Sequence, residues 1–206
     1  MSTLIERLKE RAHDPQRATD EGNDVMSGGK PVVFVAAPPT TEQELLDAES
    51  RLGFRLPAVL REIYLEVGDG GFGPGYGLFG VTTDDEEESL IARYEELRAE
   101  RKSFRWPVGL IPICDWGHGI ESYVDCTLPD APVIRVDANM PKDDVIARVP
   151  VGMHYVRASY VEDACWIENP SLQTWLEAWV DDKQLFYLGY TGPEEEDEEE
   201  FEEDEE

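Results

Sequence analysis

Three cysteines and three histidines are the side chains in this sequence best suited to bind a metal ion or to act as a nucleophile or base. Cys114, His118 and Cys126 come nearest to a zinc-binding group, with Cys165 further along the chain. Structural zinc sites pair their ligands about two to four residues apart, and only Cys114 and His118 approach that spacing. We therefore interpret the cysteines as buried thiols that pack as small apolar groups, and we expect no metal.

The histidines do not form a catalytic group that the sequence identifies. His13 lies in a polar stretch, His118 in a turn and His154 beside an expected strand. The sequence contains neither the GxSxG motif of a serine hydrolase nor the HExxH motif of a zinc protease. We therefore expect a protein that is not an enzyme.

A glycine-rich loop is the next candidate for chemistry, since glycine occupies seven of the thirteen positions from Gly68 to Gly80. The loop lacks the lysine and Ser/Thr of a P-loop, and it follows a helix where a dinucleotide-binding loop follows a strand. We expect a loop in which glycine permits positive φ and close backbone approach, and we expect no nucleotide or other cofactor.

Five tryptophans are candidates for binding, because aromatic side chains anchor interfaces as readily as they fill cores. Trp175 and Trp179 have helical spacing, which favours a place in the core. Trp116 lies in the turn sequence from Asp115 to Gly119, where a bulky aromatic side chain next to glycines indicates a binding surface. A packing role for Trp116 is the alternative.

The charge of the chain restricts its partners. The sequence has 46 acidic and 18 basic side chains, for a formal net charge of −28. Twelve of the acids lie from Glu194 to Glu206, which leaves 34 acids against 18 bases in the rest of the chain. Such a field repels nucleic acid and anionic membranes and attracts basic proteins. The tail cannot bury enough apolar surface to fold, so we expect it to be disordered.

The expected compartment is the cytoplasm. An odd number of cysteines without a close pair is typical of reduced thiols in a cytosol. The first fourteen residues are charged from Glu6 onward and lack the apolar segment of a signal peptide.

Two helices with clear boundaries precede the glycine loop and must position it. Thr41 and Glu44 fit a capping box at the start of the first helix, and Gly53 fits a left-handed residue at its end. Pro57 suits the beginning of the second helix. Apolar residues at helical spacing predict further helices within residues 2–12, after Ser89 and after Pro170.

The pattern changes to short strands after Trp106. Strands are predicted at Leu110–Cys114, Ile120–Cys126, Val133–Asp137 and Tyr155–Ser159, and an edge strand at Val32–Val35. Short links between strands favour antiparallel pairing. The predicted fold is α+β, a single domain with a mostly antiparallel sheet covered by helices and a disordered acidic C-terminal tail. We expect an N-terminal helix and polar linker over residues 1–30, the α+β domain over 31–192 and the tail over 193–206.

The run LGFRLP, the helix LREIYLEVGDGG and the segment GFGPGYGL resemble, in this order, the signature of the SMI1/KNR4 family, also called the SUKH superfamily. Weaker similarity continues through IPICDWG, SYVDC and SLQTWLEAWV, so the resemblance covers roughly residues 38–182. The resemblance implies a single α+β domain. Asp69 stands where it implies Asn, and Asp also tolerates tight turns.

The same resemblance implies a function. Bacterial members are commonly immunity proteins that bind a toxin, often a nuclease, and hold it inactive in the cell that makes it. We therefore expect a non-catalytic cytoplasmic protein that neutralises a cognate bacterial toxin, and its negative charge suits a basic nuclease. The alternative is a regulatory or scaffolding module that binds a housekeeping protein, as implied by the eukaryotic relatives. The expected partner-binding residues are Asp69, Phe72, Tyr76, Asp115, Trp116 and His118.

Overall fold

The structure, a computed structural model, describes residues 3–20, 26–27, 30–31, 33–83, 85, 88–99, 106–137, 139, 164–183 and 185. The helices within these ranges are α1 (Leu4–Ala12), α2 (Glu42–Leu52), α3 (Ala58–Glu66), α4 (Leu90–Arg98) and α5 (Leu172–Val180). The strands are β1 (Met26–Ser27), β2 (Lys30–Pro31), β3 (Leu110–Asp115), β4 (Ile120–Asp125), β5 (Val133–Asp137) and β6 (Ala164–Asn169).

The main sheet has the order β3-β4-β5-β6, and every neighbouring pair is antiparallel. The predicted α+β class and the antiparallel sheet are therefore confirmed. The predictions for β3, β4 and β5 are confirmed to within one residue at each end. The sequence pattern does not predict strand β6, and the expected strand Tyr155–Ser159 lies outside the described residues, as does the acidic tail.

Local capping explains where α2 and α3 begin and end. Thr41 accepts a hydrogen bond from the Glu44 amide at 3.3 Å, and the Glu44 carboxylate accepts one from the Thr41 amide at 2.8 Å. Gly53 ends α2 at φ 84°, which glycine adopts without a Cβ clash. Pro57 immediately precedes α3, and its φ of −53° suits the beginning of a helix. These boundaries agree with the sequence predictions.

The short N-terminal helix docks on the rest of the fold. A capping box between Thr3 and Glu6 begins α1, and Leu8 and Ala12 are fully buried. The helix packs against α3 and α5. A helix of this length would be marginal alone in water, so its contacts with these two helices stabilise it.

The core covers both faces of the sheet, as shown by β5, in which every residue is buried. Helix α4 packs on β3 and α5 on β6. Trp175 and Trp179 are 0% and 2% exposed, so the prediction that they belong to the core is confirmed. Among the described residues, no helix combines the length and apolar character that crossing a bilayer would need.

The predicted edge strand at Val32–Val35 is wrong for its described part. Residues 33–40 belong to neither a helix nor a strand, and a two-residue antiparallel pair, β1 with β2, forms just before them. The chain after Val35 bonds to other elements: the Ala36 amide donates to the Ala12 carbonyl at 3.3 Å, and the Ala37 amide to the Gly70 carbonyl at 3.0 Å. These bonds join the end of α1 to the glycine loop instead of continuing a ladder.

Candidate functional site

The glycine loop lies along the outer edge of β3. The Phe79 amide donates to the Ile113 carbonyl at 2.9 Å, and the Tyr76 amide donates to the Asp115 carbonyl at 3.0 Å. The Tyr64 hydroxyl, buried on α3, donates to the Phe79 carbonyl at 2.8 Å. The loop is therefore held between helix α3 and the first strand of the sheet.

Two glycines show why the loop needs this residue type. A Cβ at Gly70, where φ is 83°, would lie 2.7 Å from the Leu78 carbonyl oxygen. A Cβ at Gly75, where φ is 60°, would lie 2.3 Å from the Asp115 carbonyl oxygen. Any side chain at either position would separate the loop from its own second half or from the end of β3. The expectation of close backbone approach is thus confirmed at both positions.

Asp69 holds the end of the loop. Its carboxylate accepts hydrogen bonds from the Val81 amide at 2.7 Å, from the Thr82 amide at 2.9 Å and from the Thr82 hydroxyl. The side chain is only 6% exposed. Asp69 therefore fixes the path of the chain after the loop, and little of its carboxylate is accessible to a partner.

Phe72 and Tyr76 of the glycine loop differ in burial. Phe72 is fully buried in the core, so in this structure it supports the loop from inside and offers no surface to a partner. Tyr76 is half-buried, and its ring packs against Gly117, where a Cβ would lie 3.1 Å from Cε2 of the tyrosine. Tyr76 thereby joins the glycine loop to the turn between β3 and β4.

Asp20 fastens the loop to the C-terminal helix. Its carboxylate accepts hydrogen bonds from the Gly75 amide at 3.1 Å and from Nε1 of Trp179 at 2.9 Å. Burial raises the pKa of Asp20, while these two hydrogen bonds oppose the rise.

The turn between β3 and β4 presents the three other predicted site residues. Asp115 Oδ1 accepts from the Gly117 amide at 2.7 Å, which tightens the turn. His118 is exposed at its tip with a positive φ of 54°, and its carbonyl oxygen accepts from the Asn139 amide group. Trp116 is partly buried against the core and partly at the surface, which is compatible with either a packing or a binding role.

A buried polar cluster, made up of Ser122, Arg135 and Glu168, supports Trp116 from inside the sheet. Nε1 of Trp116 donates to the Ser122 hydroxyl at 2.9 Å, and that hydroxyl donates to the Glu168 carboxylate at 3.0 Å. The Arg135 guanidinium stacks 3.9 Å from the centroid of the Trp116 ring and pairs with Glu168 at 2.5 Å. Nε1 of Trp175 donates to the same carboxylate at 3.0 Å. These contacts fix the position of the Trp116 ring.

The described cysteines and histidines do not come together. In the part of the chain that the structure describes, no group of three or more His, Cys, Asp and Glu side chains has an arrangement that could hold a metal ion. Cys114 is fully buried and Cys126 partly so, and burial raises the pKa of both thiols. His154 lies outside the described residues.

A cavity of about 410 Å³ opens between the glycine loop, the turn and the segment 33–37. Its lining includes the predicted residues Asp69, Tyr76 and Asp115, with Trp116 and His118 following Asp115 along the turn. The other lining residues are Val33, Phe34, Val35, Ala37, Gly71, Gly77, Leu78, Phe79, Gly80, Thr83 and Glu88. We refer to this space as the glycine-loop cavity.

Sequence reasoning missed two parts of this site. Phe34 and Glu88 reach the cavity from distant segments, and neither carries a local signal of that position. Arg135 did carry one, because it interrupts the apolar run Val133–Val136 within a predicted strand. A charged residue in such a run must find a partner when both faces of the sheet are covered, and Glu168 is that partner.

Comparison with known protein families gives a match. A family model, that of the SMI1 / KNR4 family (SUKH-1), matches residues 39–148. The match includes the helices α2 and α3, the glycine loop and the turn that follows β3. A search of the curated proteins returns no significant match. Since the matched residues make up more than half of the 206-residue chain, the protein belongs to the SMI1/KNR4 family, the SUKH-1 group.

Proposed function

We propose that this protein is a cytoplasmic immunity protein, which neutralises a cognate bacterial toxin by binding it and has no catalytic activity of its own. Membership of the SMI1/KNR4 family supports a binding module of this kind. The single observation that carries the proposal is the glycine-loop cavity, an acidic opening with exposed apolar residues, Val33 and Val35, at its rim. An interface with an apolar centre and charged surroundings is typical of protein partners.

Electrostatics favour a basic partner. The chain carries a formal net charge of −28, and a nuclease must be basic where it meets phosphate. An acidic protein is attracted to that surface, and steering of this type raises association rates by about 10- to 1,000-fold. Occupation of the phosphate-binding surface would block the toxin without any chemical step.

The proposed contact surface is the rim of the glycine-loop cavity together with the turn after β3. Tyr76, Asp115, Trp116 and His118 would contact the partner directly, because each has exposed surface. Asp69 and Phe72 would contribute indirectly, by holding the loop in position. Trp116 is held by a hydrogen bond and a cation–π contact, so little side-chain entropy would be lost when a partner covers it.

Co-expression tests this function. Each secreted protein with a C-terminal toxin domain that is encoded beside this gene would be expressed in a sensitive host, with and without this chain. Survival only with the matching chain, together with co-purification of the two proteins, would support the proposal. A different family member, expressed at the same level, controls for specificity. Co-purification with a housekeeping protein and no protection against any candidate would favour the scaffolding alternative instead.

A further inference from the structure

The glycine-loop cavity is lined by aromatic and by acidic residues. The Phe34 and Tyr76 rings have centroids 6.5 Å apart and are tilted by 47°. Asp115 and Glu88 belong to the same lining. An aromatic face beside a carboxylate is a favourable environment for a guanidinium group, which stacks on rings and forms two parallel hydrogen bonds to carboxylates.

The carboxylates of this cavity have no basic partner among the described residues. Each salt bridge among the described residues is formed by an Asp or Glu that does not line the cavity. Asp69 is satisfied by Val81 and Thr82, and Asp115 uses Oδ1 for the Gly117 amide. Among the described residues of the lining, Asp115 Oδ2 and the Glu88 carboxylate therefore remain to accept from a ligand. Both have exposed surface.

The fold itself binds arginine in this way at two other places. Arg135 stacks 3.9 Å from the centroid of the Trp116 ring and pairs with Glu168 at 2.5 Å. Arg11 stacks 4.0 Å from the centroid of the Trp179 ring and pairs with Asp182 at 2.5 Å. In both cases one guanidinium lies against an aromatic ring and beside a carboxylate. The glycine-loop cavity offers the same two groups, and none of the described residues that line it is an arginine.

We propose that the glycine-loop cavity binds one arginine side chain of the protein partner. This inference rests on the proposed function and names the chemistry of its central contact. The guanidinium would stack on the Phe34 and Tyr76 wall and pair with Asp115 and Glu88. The volume of about 410 Å³ lies near the lower end of the range of roughly 300–1,000 Å³ for ligand pockets, which suits a long side chain and its neighbours.

The rim also indicates what flanks the arginine in the partner. Val33 and Val35 are 64% and 51% exposed, which is unusual for two valines so close in sequence. Both valines line the cavity, and Phe34 between them is half-buried. The arginine is therefore flanked by apolar residues in the partner, which cover the two valines when it enters the cavity.

Capped tripeptides test this inference on the purified full-length chain without knowledge of the toxin. The probes are acetyl-Val-Arg-Val-amide, its lysine analogue and its citrulline analogue, which has the shape of arginine without the charge. Binding is followed by amide NMR signals of the ¹⁵N-labelled protein at low salt. The arginine peptide is expected to shift the signals of Tyr76, Gly77 and Asp115 and to bind at least about tenfold more tightly than the citrulline peptide.

Matched variants separate the cavity from the general negative charge. Asp115→Asn retains an oxygen that can accept from the Gly117 amide, and Glu88→Gln changes an exposed side chain, so both should fold. Each variant is expected to bind the arginine peptide about tenfold more weakly than the unaltered chain does. Asp130→Asn is the control, since Asp130 is exposed in the turn between β4 and β5, at the opposite end of the strands from Asp115. This variant removes the same charge and should bind the peptide as the unaltered chain does.

Two results would overturn the inference: equal binding of the lysine and arginine peptides, or equal loss of binding in Asp130→Asn and Asp115→Asn. Either would show attraction to net charge alone. The co-expression assay distinguishes this from failure of the proposed function. If both cavity variants still protect the host fully, the immunity function stands and the arginine contact is refuted. If the peptide results are as expected but no toxin is neutralised, the cavity binds arginine in a partner of another kind.

Discussion

Replacing Asp69 by asparagine tests whether its carboxylate is what holds the glycine loop. Its two oxygens accept from the Val81 and Thr82 amides and the Thr82 hydroxyl, and the side chain is 6% exposed. An asparagine side chain has one oxygen and one NH₂ group, so one of the two backbone amides would face a donor instead of an acceptor. Asparagine is also the residue that the family resemblance implies at this position, which makes the comparison informative.

The size of the effect follows from the hydrogen bonds that are lost. A net hydrogen bond to a charged group contributes about 1.5–3 kcal/mol. We expect Asp69→Asn to lower the free energy of unfolding by about 1.5 kcal/mol, because one amide still has its acceptor and Thr82 is exposed enough to reach water. Asp69→Ala removes all three bonds and leaves the buried Val81 amide without an acceptor, so it should cost about 3 kcal/mol or more.

Thermal and urea unfolding of both variants would measure these losses. For a chain of this length, 1 kcal/mol corresponds to roughly 2–4 °C in Tm, so the expected decreases are about 3–6 °C for asparagine and about 6–12 °C for alanine. Asp130→Asn, which removes the same charge from an exposed turn, should change Tm by less than about 2 °C. If Asp69→Asn unfolds at the same temperature as the unaltered chain, the loop is not held by this carboxylate, and the argument for Asp69 as a support residue fails.

Three further predictions concern the loop, the buried cluster and the tail. Gly75→Ala should lower Tm and weaken binding of the arginine peptide, because the added Cβ would lie 2.3 Å from the Asp115 carbonyl oxygen. Unchanged peptide binding would contradict the close contact between the loop and the turn. Arg135→Met should cost about 3–5 kcal/mol of unfolding free energy, because Glu168 would stay buried without its partner, and a loss under about 1 kcal/mol in urea unfolding would refute this. Deletion of residues 193–206 should slow association with the toxin at low salt and leave the dissociation rate nearly unchanged, as measured by surface plasmon resonance. Faster dissociation would mean that the tail is part of the interface. No change in either rate would mean that the tail serves solubility alone.

The helices were predictable because their boundaries depend on neighbouring residues. The capping box of Thr41 and Glu44 and the left-handed Gly53 involve contacts within a few positions of the chain, and the structure confirms them. The buried side of α5, with Trp175 and Trp179, also follows from spacing alone. Such features need no knowledge of the tertiary fold.

Strand β6 shows where sequence reasoning failed. Its sequence ACWIEN ends in two polar residues, Glu168 and Asn169, which usually indicate a loop. Both are buried because their side chains have hydrogen-bond partners. Glu168 binds Arg135 and Trp175, and the Asn169 side chain accepts hydrogen bonds from Ser171 and Thr174. The local pattern of residues 164–169 does not reveal these partners, so the strand was not predicted. Arg135 in its apolar run indicates that a buried partner is needed, but it does not identify Glu168 as that partner.

Only part of the candidate site could be predicted from the sequence, namely the glycine loop and the turn after β3. Trp116 and its turn were found because glycines beside a bulky aromatic residue are a local pattern, as is the glycine loop. The cavity between them also needs Phe34, from a segment whose predicted strand did not form, and Glu88, from the run before α4. No spacing rule brings those residues together. The Phe34 segment is positioned by the bonds that join Ala36 to α1 and Ala37 to the loop, and Glu88 by the hydrogen bond from the Gly80 amide to its carbonyl oxygen.

Burying the Arg135–Glu168 ion pair costs desolvation free energy, and the position of the pair beside Trp116 suggests why it is present. Burying two charges is unfavourable, and an apolar pair of similar volume would often be as stable or more so. Stability alone therefore does not account for this pair. Arg135 stacks on Trp116, and Glu168 bonds through Ser122 to the nitrogen of the same ring, so the two charges hold one side chain from two directions. If Trp116 contacts a partner as proposed, a ring held in this way would lose little freedom on binding, and the stability given up in the core would be recovered as affinity at the surface.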